Sequence, residues 1–488
     1  MKFKTVISLF FRNIGIRQTV IKNAFWLVGT QVAISLLNIV LLVLAARVLG
    51  ATEYGKFAYA MAFVSIIAVM IDLGVSSIMT RELAKESERE KEFSSFFSLK
   101  IILSACFFLL TFSISFFITD DIFIRKIIWI LSGFVFTESF FQIIYAFFRS
   151  RQKMEYEAIF HVGQVLAIIF CGVIAIIAAP SAESLSWGYF IGSSAVLFIL
   201  LCCVHFWVVP LRWSFAKQSW MVILAMSWPL TFDFVASWMY LSVDTFMIGL
   251  FSQPHQVGLF SVATKIIAVI ITIAGLVSRS FYPALSKFLK ESKEKFQSIW
   301  DYNMKIAIAL TLPLIVGGVM FASRIINAFY GPDYIASVPV FQVLIFLAGI
   351  TLLSYPYNMV LAVCGYQKHN FVIIIIGFVT NIILNLLLFS SLGIYGVALA
   401  TVITSMMVLL LTVALTYRLG IVVPLDWPLL KIFLAAAISC IVVFTILAQA
   451  PLYYLSIVFL VPLGIVLYGI CMFFMEYISR TFLNASIL

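Results

Sequence analysis

Charge is scarce in this chain. Only 11% of its 488 residues are Asp, Glu, Lys or Arg, whereas 64% are hydrophobic. A water-soluble domain carries about 25% charged and under about 50% apolar residues. The composition therefore excludes a soluble enzyme, a secreted module, a disordered chain and a soluble nucleic-acid binder. Polar stretches long enough for a sizeable soluble domain are also missing. The seven cysteines (106, 171, 202, 203, 364, 440 and 471) lie within or beside apolar runs with no CxxC spacing. They read as small hydrophobes rather than as ligands or disulfide partners. The four histidines (161, 205, 255 and 369) are scattered, so no metal cluster is expected. No GxxxxGK[ST] occurs, which argues against direct ATP hydrolysis. No cofactor is expected. The N-terminus lacks the separated basic and apolar regions and the small-residue cleavage site of a signal peptide.

What is present is apolar and aromatic. Mean hydropathy is +1.14 and 16% of residues are Phe, Trp or Tyr. At roughly 20 residues per crossing, the chain reads as an all-α polytopic membrane protein with about fourteen transmembrane helices. The expected spans are 24–47, 57–79, 95–118, 127–148, 157–179, 186–208, 220–250, 257–284, 300–322, 338–363, 370–390, 394–417, 428–449 and 453–475. Of the 31 Lys and Arg, 22 fall on one side of this arrangement, five on the other and four within spans. That bias predicts an even number of spans with both termini in the cytoplasm of a cell (inner) membrane. The net charge of +10 is thereby read as positive-inside loops rather than as affinity for nucleic acid. Residues 1–22 place Phe3, Val6, Ile7, Phe10, Phe11 and Ile14 at helical spacing among basic residues, the pattern of an amphipathic surface segment. A frayed basic tail is the alternative.

An internal repeat is visible. Gly55, Phe57 and Ala60 match Gly258, Phe260 and Ala263 at an offset of 203. Arg151-Gln152-Lys153 matches Tyr366-Gln367-Lys368 at 215, and Trp187-Gly188-Tyr189 matches Tyr395-Gly396-Val397 at 208. Three matches in corresponding loops or spans predict two parallel, pseudo-symmetric six-helix lobes plus two extra C-terminal helices. The expected organisation is a cytoplasmic segment 1–22, an N-lobe 23–208, a linker 209–219, a C-lobe 220–418, two further spans in 428–475 and a cytoplasmic tail 476–488.

The runs ARVLGATEYGKFAYAMAF (45–62), DLGVSSIMTREL (72–83), FRSRQKMEYEA (148–158), AFYGPDY (328–334) and GYQKHNF (365–371) resemble the polysaccharide transporter (Wzx-type) flippases. That family lies within the multidrug/oligosaccharidyl-lipid/polysaccharide exporter superfamily. The resemblance covers spans 1 to 12. It implies two six-helix lobes in a V around a central cavity, with alternating access. It also implies a substrate, an oligosaccharide on a polyprenyl diphosphate carrier. The substrate and membrane lipids are the implied partners, and a polysaccharide polymerase and chain-length proteins are candidate ones.

Charged groups within a span cost on the order of 2.5–3.5 kcal/mol by insertion scales, so they usually face inward, pair or work. Asp233, Ser237, Tyr240 and Asp244 share one face of span 7. The candidate roles are a cavity or coupling site, or an ion pair with Lys265 of span 8 that locks the helices. Lys265 and Arg279 lie about four turns apart on one stripe of span 8, and two cations on a wall suit a diphosphate. Arg47, Lys100 and Lys305 are weaker substrate candidates; snorkelling explains Lys100, Lys305 and Arg279 as well. Glu138 of span 4, in line with Gln142, Tyr145 and Arg149, is a candidate coupling-proton carrier or a static hydrogen-bonded partner. Asn381 and Asn385 are candidates for sugar contact or for helix joining. No catalytic residue is expected. A membrane glycosyltransferase, polymerase or ligase would usually carry its carboxylates or His on a long external loop, and the longest outer loop here, 323–337, has one acidic group, Asp333. A cation-coupled drug antiporter and a lipid II flippase are the alternatives within the superfamily.

Overall fold

A computed structural model describes residues 13, 15–85, 90–207, 217–421, 427–447, 459 and 462–474. The expected amphipathic segment 1–22, the linker 209–219 and the tail 476–488 lie largely or wholly outside these residues. Every regular element among the described residues is helical, because inside hydrocarbon each backbone N–H and C=O must be satisfied within its own segment. In chain order these are α1 (Ile16–Asp72), α2 (Val75–Lys85), α3 (Glu90–Ile118), α4 (Ile122–Ser150), α5 (Met154–Ala178), α6 (Ala182–Trp207), α7 (Lys217–Phe251), α8 (Pro254–Arg279), α9 (Tyr282–Glu291) and α10 (Lys293–Tyr330). A short 3₁₀ turn (Pro332–Ser337) leads into α11 (Val338–Val363), α12 (Gln367–Arg418) and α13 (Trp427–Leu447), and a short apolar helix, Pro462–Phe474, follows. Nine helices among the described residues are long and apolar enough to cross a membrane.

Two helices are too long for one crossing. At about 1.5 Å per residue, the 57 residues of α1 and the 52 of α12 far exceed the roughly 30 Å hydrocarbon slab. Each is interrupted at a glycine, Gly50 (φ 70°) and Gly393 (φ 58°), so each holds a pair of spans. The fold class expected from the sequence is thus observed, while the number fourteen rests on the hydropathy reading.

The chain divides into two compact units, Met1–Ser261 and Val262–Leu488. In the first unit α4 is the central helix, packed against α1, α2, α3, α5 and α6. Its buried aromatic residues Phe140, Phe141, Phe147 and Phe148 join Phe93, Phe96 and Trp220 in one apolar cluster. In the second unit α11 packs between α10 and α12, and Trp300, Met304, Ile350, Tyr357 and Leu429 form the corresponding cluster. All seven cysteines are free thiols.

Local geometry repeats between the halves. At the end of α4, Lys153 N–H donates to Phe148 O (2.9 Å) and Gln152 N–H to Arg149 O (3.0 Å), with Gln152 at φ 56°. At the end of α11, Tyr366 N–H donates to Leu361 O (2.8 Å) and Gly365 N–H to Ala362 O (3.3 Å), with Gly365 at φ 82°. These are the same left-handed C-terminal cap. They superpose at an offset of 213, so Arg151-Gln152-Lys153 corresponds to Cys364-Gly365-Tyr366, two residues from the pairing that side-chain identity suggests.

The repeated glycines Gly55 and Gly258 meet within the first unit. A Cβ on Gly55 would lie 1.8 Å from Pro254 O, and one on Gly258 would lie 1.9 Å from Ala51 O. Ala51 and Pro254 are themselves related by the offset of 203. Position i of one copy therefore touches position j of the other, and j touches i, the signature of a two-fold crossing. The clash would be with backbone, which cannot swing aside. Gly55→Leu or Gly258→Leu is expected to lower stability by about 3 kcal/mol or more, whereas Gly163→Ala, with open space around it, should be neutral or slightly stabilising. Thermal melting of the purified variants in detergent distinguishes these outcomes.

Candidate functional site

The first unit neutralises its buried charges. Lys22 Nζ donates to Glu155 Oε2 (2.8 Å) with both side chains buried, and also to Asn13 Oδ1 (2.7 Å). Asn13 reaches the backbone oxygen of Gln152 (3.4 Å), so the start of α1 is tied to the α4–α5 turn. Lys100, fully buried on α3, donates to Asp72 Oδ1 (2.6 Å) at the end of α1, and Ser76 Oγ donates to the same oxygen (2.5 Å). Arg149 grips Glu157 through Nε and Nη2 at 2.8 and 2.5 Å. Each bridge joins two elements, and removal of either partner would leave an uncompensated charge in low dielectric.

Glu138 sits half-buried on α4 and receives a hydrogen bond from Gln164 Nε2 of α5. Gln164 also donates to Ser193 Oγ (3.0 Å), which shares a hydrogen bond with Thr137 (2.7 Å). One turn-pair along the same seam, the Tyr145 and His161 rings lie 5.3 Å apart. The spacings that align Glu138, Tyr145 and Arg149 on α4 thus meet Gln164, His161 and Glu157 on the antiparallel α5 at three successive levels.

The second unit treats its cations differently. Lys265 and Arg279 of α8 are exposed, Lys305 of α10 is half-buried, and among the described residues none of the three forms an ion pair. Arg279 lies in the last turn of α8, near Tyr355, whose hydroxyl donates to Ile271 O (3.2 Å). Ser261, on the same stripe as Lys265, is buried, and the Thr272 hydroxyl donates to Ala268 O (2.8 Å). Asp244 is buried on α7, and Arg47 is exposed on α1. The side chain of Asp233 lies outside the described residues. Asn381 and Asn385 are fully buried; Asn385 Nδ2 donates to Asn381 Oδ1 (3.2 Å) and Asn381 Nδ2 to Thr401 Oγ1 (3.5 Å). They join the two arms of α12. The sequence reading missed the partners of Lys100 and Arg149 and the Tyr145–His161 level, because helical periodicity aligns residues on one helix without naming the facing helix.

The family model described as "Polysaccharide biosynthesis protein" matches residues 20–289, more than half of the chain. The chain belongs to this family. A second model, MatE, matches residues 229–387. A probable flippase, AglR, of Haloferax volcanii is 26% identical over 49% of this chain and 49% of its own length. A probable low-salt glycan biosynthesis flippase of the same organism is 21% identical over 73% of this chain and 75% of its own. The chain thus spans about half of the first relative and three quarters of the second. A solved lipid II flippase, MurJ, in an inward closed conformation is 18% identical, covers 96% of this chain and 100% of its own, and superposes with a TM-score of 0.76. An inward-facing multidrug resistance MATE transporter gives 0.58 at 14% identity over 85% of this chain and 97% of its own. Both share the fold. The family and the names of the relatives indicate transport proteins rather than catalysts, in line with the sequence reading.

The partition of the cations is directly testable. Lys100→Met alone is expected to cost about 3–5 kcal/mol, and Lys100→Met with Asp72→Asn should recover most of it. Lys265→Met should leave stability within about 0.5 kcal/mol. Thermal denaturation of the three variants checks this.

Proposed function

We propose that this chain is a flippase that moves a polyprenyl-diphosphate-linked oligosaccharide, a repeat unit of O-antigen, capsule or exopolysaccharide, from the cytoplasmic to the outer leaflet by alternating access. The observation that carries the reading is Lys265. It lies about 12 Å or more from either end of its span by helical rise and is exposed, and among the described residues it has no counter-ion. An ammonium at that depth without a counter-ion among the described residues is expensive, and an anionic headgroup answers it. Arg279, roughly 21 Å further along α8, presents a forked donor set suited to phosphate oxygens. Arg47 and Lys305 are secondary contacts. Lys100, held by Asp72, supports its lobe instead. The named flippase relatives and the family match support the glycan as cargo. The charge bias of the loops supports cytoplasmic termini in the cell membrane.

The MatE match favours one second reading, a cation-coupled drug antiporter. Exposed cations on α8 oppose it, since they would repel a cationic drug.

In cells relying on this protein, Lys265→Ala and Arg279→Ala are each expected to cut export of undecaprenyl-diphosphate-linked glycan by tenfold or more, on the order of 1.4 kcal/mol, at unchanged protein level. Lys265→Arg should retain most activity. A leaflet assay for the lipid-linked glycan measures this. Normal export by both alanine variants would remove α8 from the substrate path, and an unchanged glycan distribution after depletion, with raised drug sensitivity, would favour the antiporter.

A further inference from the structure

The seam between α4 and α5 contains more titratable groups than a helix contact needs. Three levels follow one another along it. Glu138 and Gln164 form the first, Tyr145 and His161 the second, and Arg149 and Glu157 the third. The third level lies at the α4–α5 turn, where the chain is rich in basic residues. Tyr145 is fully buried, and its hydroxyl has no hydrogen-bond partner among the described residues. Glu138 and Arg149 share the Tyr145 face of α4, seven residues before it and four after it, and Glu157 bonds Arg149. A seam built only to clamp two helices would pair this hydroxyl.

Glu138 differs from six other acidic groups of this unit whose ion pairs are described. Asp72 has Lys100, Glu155 has Lys22, Glu157 has Arg149, Glu53 has Lys56, Glu82 has Arg81 and Lys85, and Glu183 has Lys126. The described partner of Glu138 is a neutral amide. Among the described residues, the elements around α4 bring no cation to it. On α5 the groups along the seam are Gln164, His161 and Glu157, and α6 contributes Ser193 and Tyr189. On α3, Ser104 bonds Ser139, while Lys100 is held on Asp72 of α1 near Arg149. The contribution of α2 is the Thr80 hydroxyl, donating to Ala146 O (3.3 Å). A carboxylate in such a setting is neutralised by a proton rather than by a side chain.

We propose that Glu138 is a proton-binding site and that Tyr145 and His161 relay protons between it and the Arg149–Glu157 end of the seam. The carboxylate oxygen takes up the proton on loading and releases it on unloading. The phenol and the imidazole can each accept a proton on one lone pair while passing one on, so no net charge stays between the levels. The site stands on geometry alone. Its use to drive export rests on the flippase reading above.

The test uses the full-length protein reconstituted in liposomes and infrared difference spectroscopy across a pH step. The wild-type chain is expected to show a protonated-carboxyl stretching band that Glu138→Gln removes. Tyr145→Phe should keep the band but slow its response to the step on the order of tenfold or more, and His161→Gln should slow it similarly. If the band survives in Glu138→Gln, or if Tyr145→Phe and His161→Gln respond at the wild-type rate, the proposal is overturned. The coupling is tested in inverted membrane vesicles under an imposed pH gradient, reading movement of undecaprenyl-diphosphate-linked glycan between leaflets. Wild-type movement should follow the gradient and Glu138→Gln movement should not; a variant that still follows it overturns the coupling. Loss of the band together with no glycan movement in any form, wild type included, supports the proton site and refutes the flippase reading instead.

Discussion

A charge inside hydrocarbon must be answered by another polar group, and the two units of this protein answer it in opposite ways. In the first unit the buried cations are answered from within. Lys22 has Glu155, Lys100 has Asp72, and Arg149 has Glu157, each bridge linking α1, α3 or α4 to a different element. Lipid gives apolar helices no hydrophobic reason to adhere to one another, so close packing and such polar bridges must hold them. In the second unit Lys265 and Arg279 of α8 are left exposed, with no described ion pair. Lysine is therefore paired at Lys22 and Lys100 of the first unit and exposed, without a described ion pair, at Lys265 of the second.

Close approach is the second means of adhesion. Gly55 and Gly258 allow backbone to meet backbone at a crossing where any Cβ would strike a carbonyl oxygen. Close by, Gly249 packs against the ring of Tyr59, which stacks on Phe246. The crossing is reciprocal because its two sides derive from the same repeated segment. A glycine required by packing at one copy is then required at the other, which explains why this pair is among the few identities that the two halves retain.

Much of this was legible in the sequence. The scarcity of charge and the length of the apolar runs indicate the all-helical membrane architecture, since no other composition survives in a bilayer. The motif at Gly55 and Gly258 marks the repeat, and the gaps at 48–56 and 391–393 between expected spans hold Gly50 and Gly393, where the structure shows the paired helices turning. The register of the second match was not legible. The identity Gln-Lys in 152–153 and 367–368 points to an offset of 215, but the capping bonds run at 213. Side-chain identity at an exposed turn is cheap to change, whereas a left-handed cap needs its bonds and its positive φ. Nor was the fate of Lys100 legible. Its partner is 28 residues away on another helix, and periodicity cannot say which stripe faces which.

The asymmetry also bears on mechanism. A transporter with all its charges neutralised internally would have nothing to offer an anionic headgroup, and one with all of them exposed would have little to hold its helices together. On the proposed reading, bridged cations hold the first unit together while Lys265 and Arg279 of α8 are offered to the headgroup. Within the first unit Glu138 differs from these bridged groups, because it has a neutral partner and a line of titratable neighbours instead of a cation. A carboxyl group that changes charge beside a rigid, fully bridged framework alters the balance between conformations without dismantling the unit that holds it. On the proposal above, the switchable charge belongs to the unit whose buried lysines are already paired.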